Sequence, residues 1–294
     1  MTQKTPGVFL STQKDAGGLF GRTRFAPAPT GFLHLGHVAN AIHVWGLARH
    51  TGAQVVLRVE DHDRQRSKPE YERALLEDLD WLGFVPDVFP PPAFRAGRCD
   101  GRQSDRDAIY ADAARRLADA GRLYGCSCTR RDLRTGSPAG TAGEPPYPGT
   151  CRDRGLVLGP DIAWRIRLED EAVTFDDRLA GRHTHVPARQ CGDVAIRDRL
   201  GNWTYQFVAS VDDFMQDIDL VVRGRDLLDS TGRQILIARA LGRPSPATFA
   251  HHALIMRTPT QKLSKRDGDT GVRDLRAAGW PAARVIGHAA WSVG

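Results

Sequence analysis

The chain has 294 residues, of which 41% are hydrophobic and 26% charged. That is the usage of a globular protein with a buried core, and it excludes wholesale disorder and fibrous repeats. No apolar stretch is long enough to span a bilayer, and the first 18 residues lack the apolar centre of a secretory signal, so a cytoplasmic chain without membrane contact is expected. A formal charge of +6 is compatible with nucleic acid or phosphate ligands, and five unevenly placed cysteines do not make a disulfide scaffold.

Residues 1–21 carry no apolar periodicity and read as an N-terminal tail. Arg24-Phe25-Ala26 leads as a short strand into the proline-stiffened loop Pro27-Ala28-Pro29-Thr30-Gly31. After His34-Leu35-Gly36-His37, Val38, Ile42 and Trp45 recur at helical spacing, with Gly52 as a stop. A β-branched run over 54–59 ends in Glu60, Asp61 and Asp63. A second helix is expected from Ser67 as N-cap through Leu75, Leu79 and Leu82 to Gly83. Strand, glycine turn, helix and strand in this order open a nucleotide-binding parallel sheet, so the fold class is α/β. A proline-rich connection over 84–101 precedes a helix between Ser104 and Gly121. Residues 125–160 lack periodicity, and so long a stretch inside a compact domain needs another source of order, such as a metal. Strand signals return at 163–168, 193–197 and 203–211, followed by a helix over 230–241 and an apolar run from His251 to Met256.

Two constellations suit phosphate chemistry. His34-Leu35-Gly36-His37 opens a helix, where free N–H groups and the dipole favour anions, and both imidazoles can donate hydrogen bonds to phosphate oxygens. Only five of the 41 basic residues are lysine, yet Lys262 and Lys265 sit together in Lys262-Leu263-Ser264-Lys265-Arg266. A compact ammonium suits a moving phosphate.

In this order, with a sheet between them, the two motifs resemble the HIGH and KMSKS motifs of class I aminoacyl-tRNA synthetases. The resemblance is to the glutamyl/glutaminyl branch. It extends through Arg58-Val59-Glu60-Asp61-His62-Asp63, the run from Tyr205 to Asp213, and Val221-Val222-Arg223-Gly224-Arg225-Asp226-Leu227-Leu228. It implies a Rossmann-like parallel sheet carrying an inserted, zinc-binding, acceptor-type subdomain. The chain then divides into a first catalytic half over 22–98, the insertion over 99–190, and a second half over 191–294 with the KLSKR loop and short C-terminal helices. It also implies ATP with Mg²⁺ as the activating substrate, bound through His34, Gly36, His37, Lys262, Ser264 and Lys265, of which His34, His37 and Lys265 act in catalysis. L-Glutamate would be held by Arg24, by Glu60 at its ammonium group, and by Tyr205 and Arg223 at its side chain. Ala28 stands where the branch usually has serine. An arginine fork suits a carboxylate bidentately, so Arg24 and Arg223 favour glutamate over glutamine.

Cys126, Cys128 and Cys151 offer three thiolates, and a closed zinc site wants four ligands. No histidine lies between His62 and His183, so the fourth comes from Tyr147, an acid or Cys99, and spacing alone favours Cys99. The resemblance implies Tyr147, because a short form of the branch carries zinc on a Cys-x-Cys…Tyr-x-x-x-Cys pattern. That short form consists of the catalytic half and transfers glutamate to queuosine in the anticodon of tRNA(Asp). Only 28 residues follow Arg266, so the anticodon-binding domain of the longer enzymes is expected to be absent and queuosine-containing tRNA(Asp) to be the acceptor. No further apolar face is evident, and a monomer is expected.

Overall fold

The computed structural model describes residues 18–135, 146–258, 261–262 and 271–293. β1 (Arg22–Phe25), α1 (Leu35–Thr51), β2 (Gln54–Leu57) and α2 (Pro69–Leu82) form the opening unit, followed by α3 (Pro91–Arg95), a 3-10 turn (Gln103–Arg106) and α4 (Asp107–Asp119). Next come β3 (Leu123–Cys126), α5 (Arg130–Thr135), β4 (Ala163–Ile166), β5 (Val173–Asp177), β6 (Gly181–His185), α6 (Pro187–Gln190) and β7 (Val194–Arg197). The remainder comprises α7 (Tyr205–Met215), β8 (Leu220–Gly224), a 3-10 turn (Arg225–Ser230), α8 (Thr231–Ala240) and β9 (Thr248–His252), then β10 (Met256–Thr258), β11 (Gln261–Lys262), α9 (Val272–Ala277) and α10 (Ala282–Trp291). No helix among the described residues is long and apolar enough to cross a membrane.

The main sheet has the order β2-β1-β8-β9-β5-β6. Its first five strands run parallel, and β6 closes one edge antiparallel to β5. Strands such as Val55-Val56-Leu57 and Leu220-Val221-Val222 are apolar on both faces because helices cover both. On one side Val44 of α1, Leu79 of α2 and Val285 of α10 pack over the sheet; on the other, Leu117 of α4, Phe207 of α7 and Ile237 of α8 do so. The chain leaves β1 for β2 on one side and returns to β8 on the other. Such a reversal opens a crevice at the carboxyl ends of the strands.

Several local expectations change. The run 203–211 is not a strand but the start of α7: Phe207, Val208, Val211 and Asp212 are buried at helical spacing, and their β-branched and aromatic composition reflects burial rather than an extended backbone. The N-cap of α2 is Lys68 rather than Ser67, with Pro69 at the first helical position. Sheet membership also cuts across the boundaries drawn at 99 and 190. β5 and β6 belong to the main sheet, whereas β3, β4 and β7 form a separate three-stranded antiparallel sheet. Ser264, Lys265 and the N-terminal tail up to residue 17 lie outside the described residues.

Candidate active site and a cysteine cluster

A cavity of about 480 Å³ opens at the reversal, bounded by Phe25 at the end of β1, Glu60 beyond β2, Gly224 at the end of β8 and the N-terminus of α1. Eight candidates line it together: Arg24, Ala28, His34, Gly36, His37, Glu60, Tyr205 and Arg223. They come from four sequence regions, and the sheet is what joins them.

At the helix end, His34 is the N-cap of α1 in extended conformation. Its Nδ1 accepts the Gly36 N–H at 3.0 Å, while Nδ1 of His37 accepts the His34 N–H at 3.1 Å. A backbone N–H only donates, so each Nδ1 is a lone pair and each Nε2 carries the proton. The imidazoles thus cap the helix and are set as Nε2–H donors at once. Gly36 permits this: a Cβ there would meet His34 Cε1 at 2.8 Å. Gly271, the first described residue after the lysine motif, pairs with His34, and the Val272 N–H donates to Leu33 at 2.8 Å. Lys262 ends β11 with its backbone opposite Met256.

The floor is a charge network. Arg24 donates from Nε to Asp213 Oδ1 at 3.1 Å and from Nη1 to the Val222 carbonyl at 3.0 Å. The same Asp213 oxygen accepts Nη2 of the fully buried Arg58 at 2.6 Å, and Arg58 Nε lies 3.4 Å from Glu60. Burial opposes ionisation of Asp213, but Arg24 and Arg58 outweigh it and hold the carboxyl at about 2. Burial pushes the Glu60 carboxyl above its usual range, against the pull of Arg58. Arg223 is held differently. Its Nε donates to His251 Nε2 at 2.8 Å, Nη1 to Gln234 at 2.6 Å and Nη2 to Thr231 at 2.9 Å, all uncharged acceptors. Burial lowers its hold on the proton, and the neighbouring Tyr205 supports the charge. A buried guanidinium without a carboxylate in direct contact is made for an anionic ligand.

Sequence reasoning missed the groups that brace these side chains. Arg58 and Asp213 lie inside the quoted motifs, but nothing in the spacing shows that the end of β2 meets α7. His62 also lines the cavity, with Nδ1 2.7 Å from Gln103 Oε1, while the Gln103 amide donates to Asp212 at 2.9 Å. The pairing of Asp177 with His251, at 2.5 Å, spans 74 positions and left no local signal.

Away from the cavity, beside the three-stranded sheet, the sulfurs of Cys126, Cys128 and Cys151 all lie within 4.8 Å of one another and could hold a metal ion. The Tyr147 hydroxyl sits 3.4 Å from Cys126 Sγ and accepts the Cys151 N–H at 2.8 Å. Cys99, which spacing favours as a fourth ligand, packs instead in the core with α1 and α2, so it is not part of this group. Burial opposes ionisation of Cys151, yet hydrogen bonds from Ser127, Tyr147 and Cys128 pull its thiol down to about 6. Burial and the bond to Cys151 push Cys128 up to about 11. Gly192, at φ 64°, backs the site: a Cβ there would meet the Tyr147 carbonyl oxygen at 2.1 Å.

Comparison with known proteins agrees with this architecture. The family model for class I tRNA synthetases (E and Q), catalytic domain, matches residues 22–286. A glutamyl-Q tRNA(Asp) synthetase of Symbiobacterium thermophilum is 41% identical over 282 residues, covering 92% of this chain and 86% of the relative. A glutamate–tRNA ligase of Aquifex aeolicus is 40% identical over 269 residues, covering 88% of this chain but 54% of the ligase. The crystal structure of a glutamate tRNA ligase from Elizabethkingia meningosepticum, in complex with its amino acid, superposes with a TM-score of 0.71 at 26% identity, covering 92% of this chain and 60% of that one. The cavity, the capped helix and the sheet around them therefore belong to an enzyme of the class I tRNA synthetase family, of the glutamate and glutamine type.

Proposed function

We propose that the chain activates L-glutamate with ATP and transfers the glutamyl group to queuosine in the anticodon of tRNA(Asp). The observation that carries the first half is the buried Arg223 fork, in direct contact with no carboxylate among the described residues, in one cavity with Glu60 and the N-terminus of α1. Arg223 and Tyr205 bind the side-chain carboxylate, Glu60 the ammonium group, and Arg24 orients the molecule. The α-carboxylate attacks the α-phosphorus of ATP: an O–P bond forms, the bond to the β-phosphoryl oxygen breaks, and pyrophosphate leaves. No covalent enzyme intermediate is needed, so positioning and charge stabilisation carry the rate. The Nε2–H groups of His34 and His37, with Lys262, Ser264 and Lys265 of the lysine motif, meet the developing phosphate charge. Mg²⁺ accompanying ATP would screen its phosphates. A hydroxyl of the modified base then attacks the activated carbonyl carbon and AMP departs. The transfer half rests on the likeness to relatives of that name over nearly their whole length.

The cysteine cluster suits zinc. Tetrahedral zinc with bonds of about 2.3 Å to sulfur and about 2.0 Å to oxygen spaces its ligands about 3.8 Å (S to S) and about 3.5 Å (S to O) apart. Cys128 and Cys151 are separated by 3.6 Å, and Cys126 and Tyr147 by 3.4 Å. Arg165 covers the Tyr147 ring at 3.7 Å, setting a cation against a phenolate. Cys126, Cys128, Tyr147 and Cys151 would hold the ion, whose contribution is structural. The protein is taken to act as a monomer in the cytoplasm.

The reading is tested with ATP, radiolabelled glutamate and three acceptors: tRNA(Asp) with queuosine, the same tRNA without it, and tRNA(Glu). Label confined to the first, and found after nuclease digestion on the anticodon fragment rather than on the 3′-terminal adenosine, is the expected result. Label on the 3′ end of tRNA(Glu) would instead make the chain a minimal glutamate–tRNA ligase.

A further inference from the structure

We infer that His251, locked in one tautomer by Asp177, is a positioning residue that aims Arg223 at the substrate's side-chain carboxylate and lets the site prefer a carboxylate to an amide. The inference rests on the reading of Arg223 as the carboxylate-binding group. Asp177 ends β5, His251 lies in β9 and Arg223 in β8, and β9 is the strand between the other two, so a line of side chains crosses three neighbouring strands. Their exposures are 5%, 0% and 3%. A carboxylate only accepts, so Nδ1 of His251, 2.5 Å from Asp177 Oδ2, carries the proton. The His251 backbone N–H donates to Asp177 Oδ1 at 3.1 Å and holds the ring's own strand in register with it. Nε2 is then a lone pair, and it receives the Arg223 Nε–H at 2.8 Å. In the other tautomer two N–H groups would face each other, and the guanidinium would turn away.

The arrangement separates orientation from charge. A carboxylate touching Arg223 would orient the fork and also neutralise it. A neutral imidazole orients the fork and leaves its charge for the ligand, while the negative charge of Asp177 stays one ring away. With Gln234 and Thr231 the ring occupies three of the five guanidinium donors. The other two are left for the Tyr205 hydroxyl and for a ligand in the cavity. A carboxylate can serve such donors with either oxygen, whereas an amide turns one N–H₂ group against them.

Substitutions at two positions separate this role from mere packing. His251→Asn keeps a polar group at the reach of Nδ1 and has none at the reach of Nε2; His251→Gln keeps an acceptor at the reach of Nε2. Asp177→Asn keeps the oxygen that serves the Leu179 and Ala180 N–H groups, and sets an N–H₂ against Nδ1, which flips the tautomer. The readout is ATP–pyrophosphate exchange driven by glutamate or by glutamine. In His251→Asn the KM for glutamate is expected to rise about tenfold or more, the scale of a buried donor that loses its acceptor. The KM for ATP stays at the wild-type value, and the preference for glutamate over glutamine falls in parallel. His251→Gln recovers most of the loss, and Asp177→Asn moves glutamate KM in the same direction, which keeps the test open should His251→Asn fail to fold. A wild-type glutamate KM in the folded variants, an equal rise in the KM for ATP, or equal losses in His251→Asn and His251→Gln would overturn the inference. Absence of glutamate-driven exchange in the wild type would overturn the reading of Arg223 itself, and this inference with it.

Discussion

The cavity and the cysteine cluster reach order by different means. Around the cavity the arginines are held by side chains of the fold itself: Arg24 and Arg58 share Asp213, and Arg223 rests on three neutral acceptors, beside strands whose two faces are buried by helices. The geometry stands without a ligand. The cysteine cluster has a core of five buried residues, Tyr124, Cys126, Tyr147, Cys151 and Ala163, and residues 146–162 beside it hold no regular helix or strand. So small an apolar core supplies little stability, and the metal proposed for the cluster would be the strongest remaining source of order. Preorganisation by a sheet survives the loss of one contact; preorganisation by a single ion does not.

The largest test of that contrast removes the proposed ion. Structural zinc contributes on the order of 10 kcal/mol in small domains. Exhaustive chelation, or Cys151→Ser, is expected to abolish bound zinc as measured by mass spectrometry and to expose the amides of 123–128 and 163–166 to hydrogen exchange. Glutamate-driven pyrophosphate exchange at the cavity should fall much less than transfer to tRNA. Purified protein without stoichiometric metal, yet with these amides fully protected, would collapse the comparison.

The next test asks whether the cavity's order is as internal as described. Asp213→Asn leaves two buried guanidiniums without their shared carboxylate, and breaking such a pair costs about 3–5 kcal/mol. The variant should lose that amount in urea unfolding near pH 7. The pH dependence follows from the sign of the shift. A carboxyl held at about 2, below its ordinary value of about 3.9, contributes stability that is complete above the ordinary value and is lost as pH falls through about 2. That part of the acid dependence should be missing from Asp213→Asn. A loss below about 1 kcal/mol would mean that Arg24 and Arg58 find other partners.

What the sequence disclosed follows the same division. The opening strand–helix–strand and the ordered motifs were legible because glycine, proline and apolar spacing act locally, and because His34, Glu60, Tyr205 and Arg223 sit inside short recognisable runs. The helix at 205–215 carries the signature of a strand, since burial on both sides selects the same β-branched and aromatic residues as a strand does. Tyr147 could not be chosen over Cys99 by spacing, because only the packing of Cys99 against α1 and α2 separates it from the other thiols. The braces were illegible for a different reason. Arg24 and Asp213 are 189 positions apart and Arg223 and His251 28 apart; the packing of α7 against the sheet joins the first pair, and the pairing of β8 with β9 joins the second.

The smallest expected effect isolates the helix cap from the rest of the cavity. In Gly36→Ala the added carbon would meet His34 Cε1 at 2.8 Å and Nδ1 at 3.0 Å, so the ring must leave its position over the Gly36 N–H. Losing the cap costs about 1 kcal/mol, but alanine in the first turn is favoured over glycine by about 1 kcal/mol. Thermal unfolding should therefore stay close to the wild type. The Nε2–H of His34, however, is no longer aimed by the cap, and kcat for glutamate-driven exchange should fall about tenfold, or 1.4 kcal/mol. An unchanged melting temperature with an unchanged kcat would show that the cap and the phosphate role proposed for Nε2 are independent. Losing both together would show that the helix end, like the cysteine cluster, hangs on a single contact.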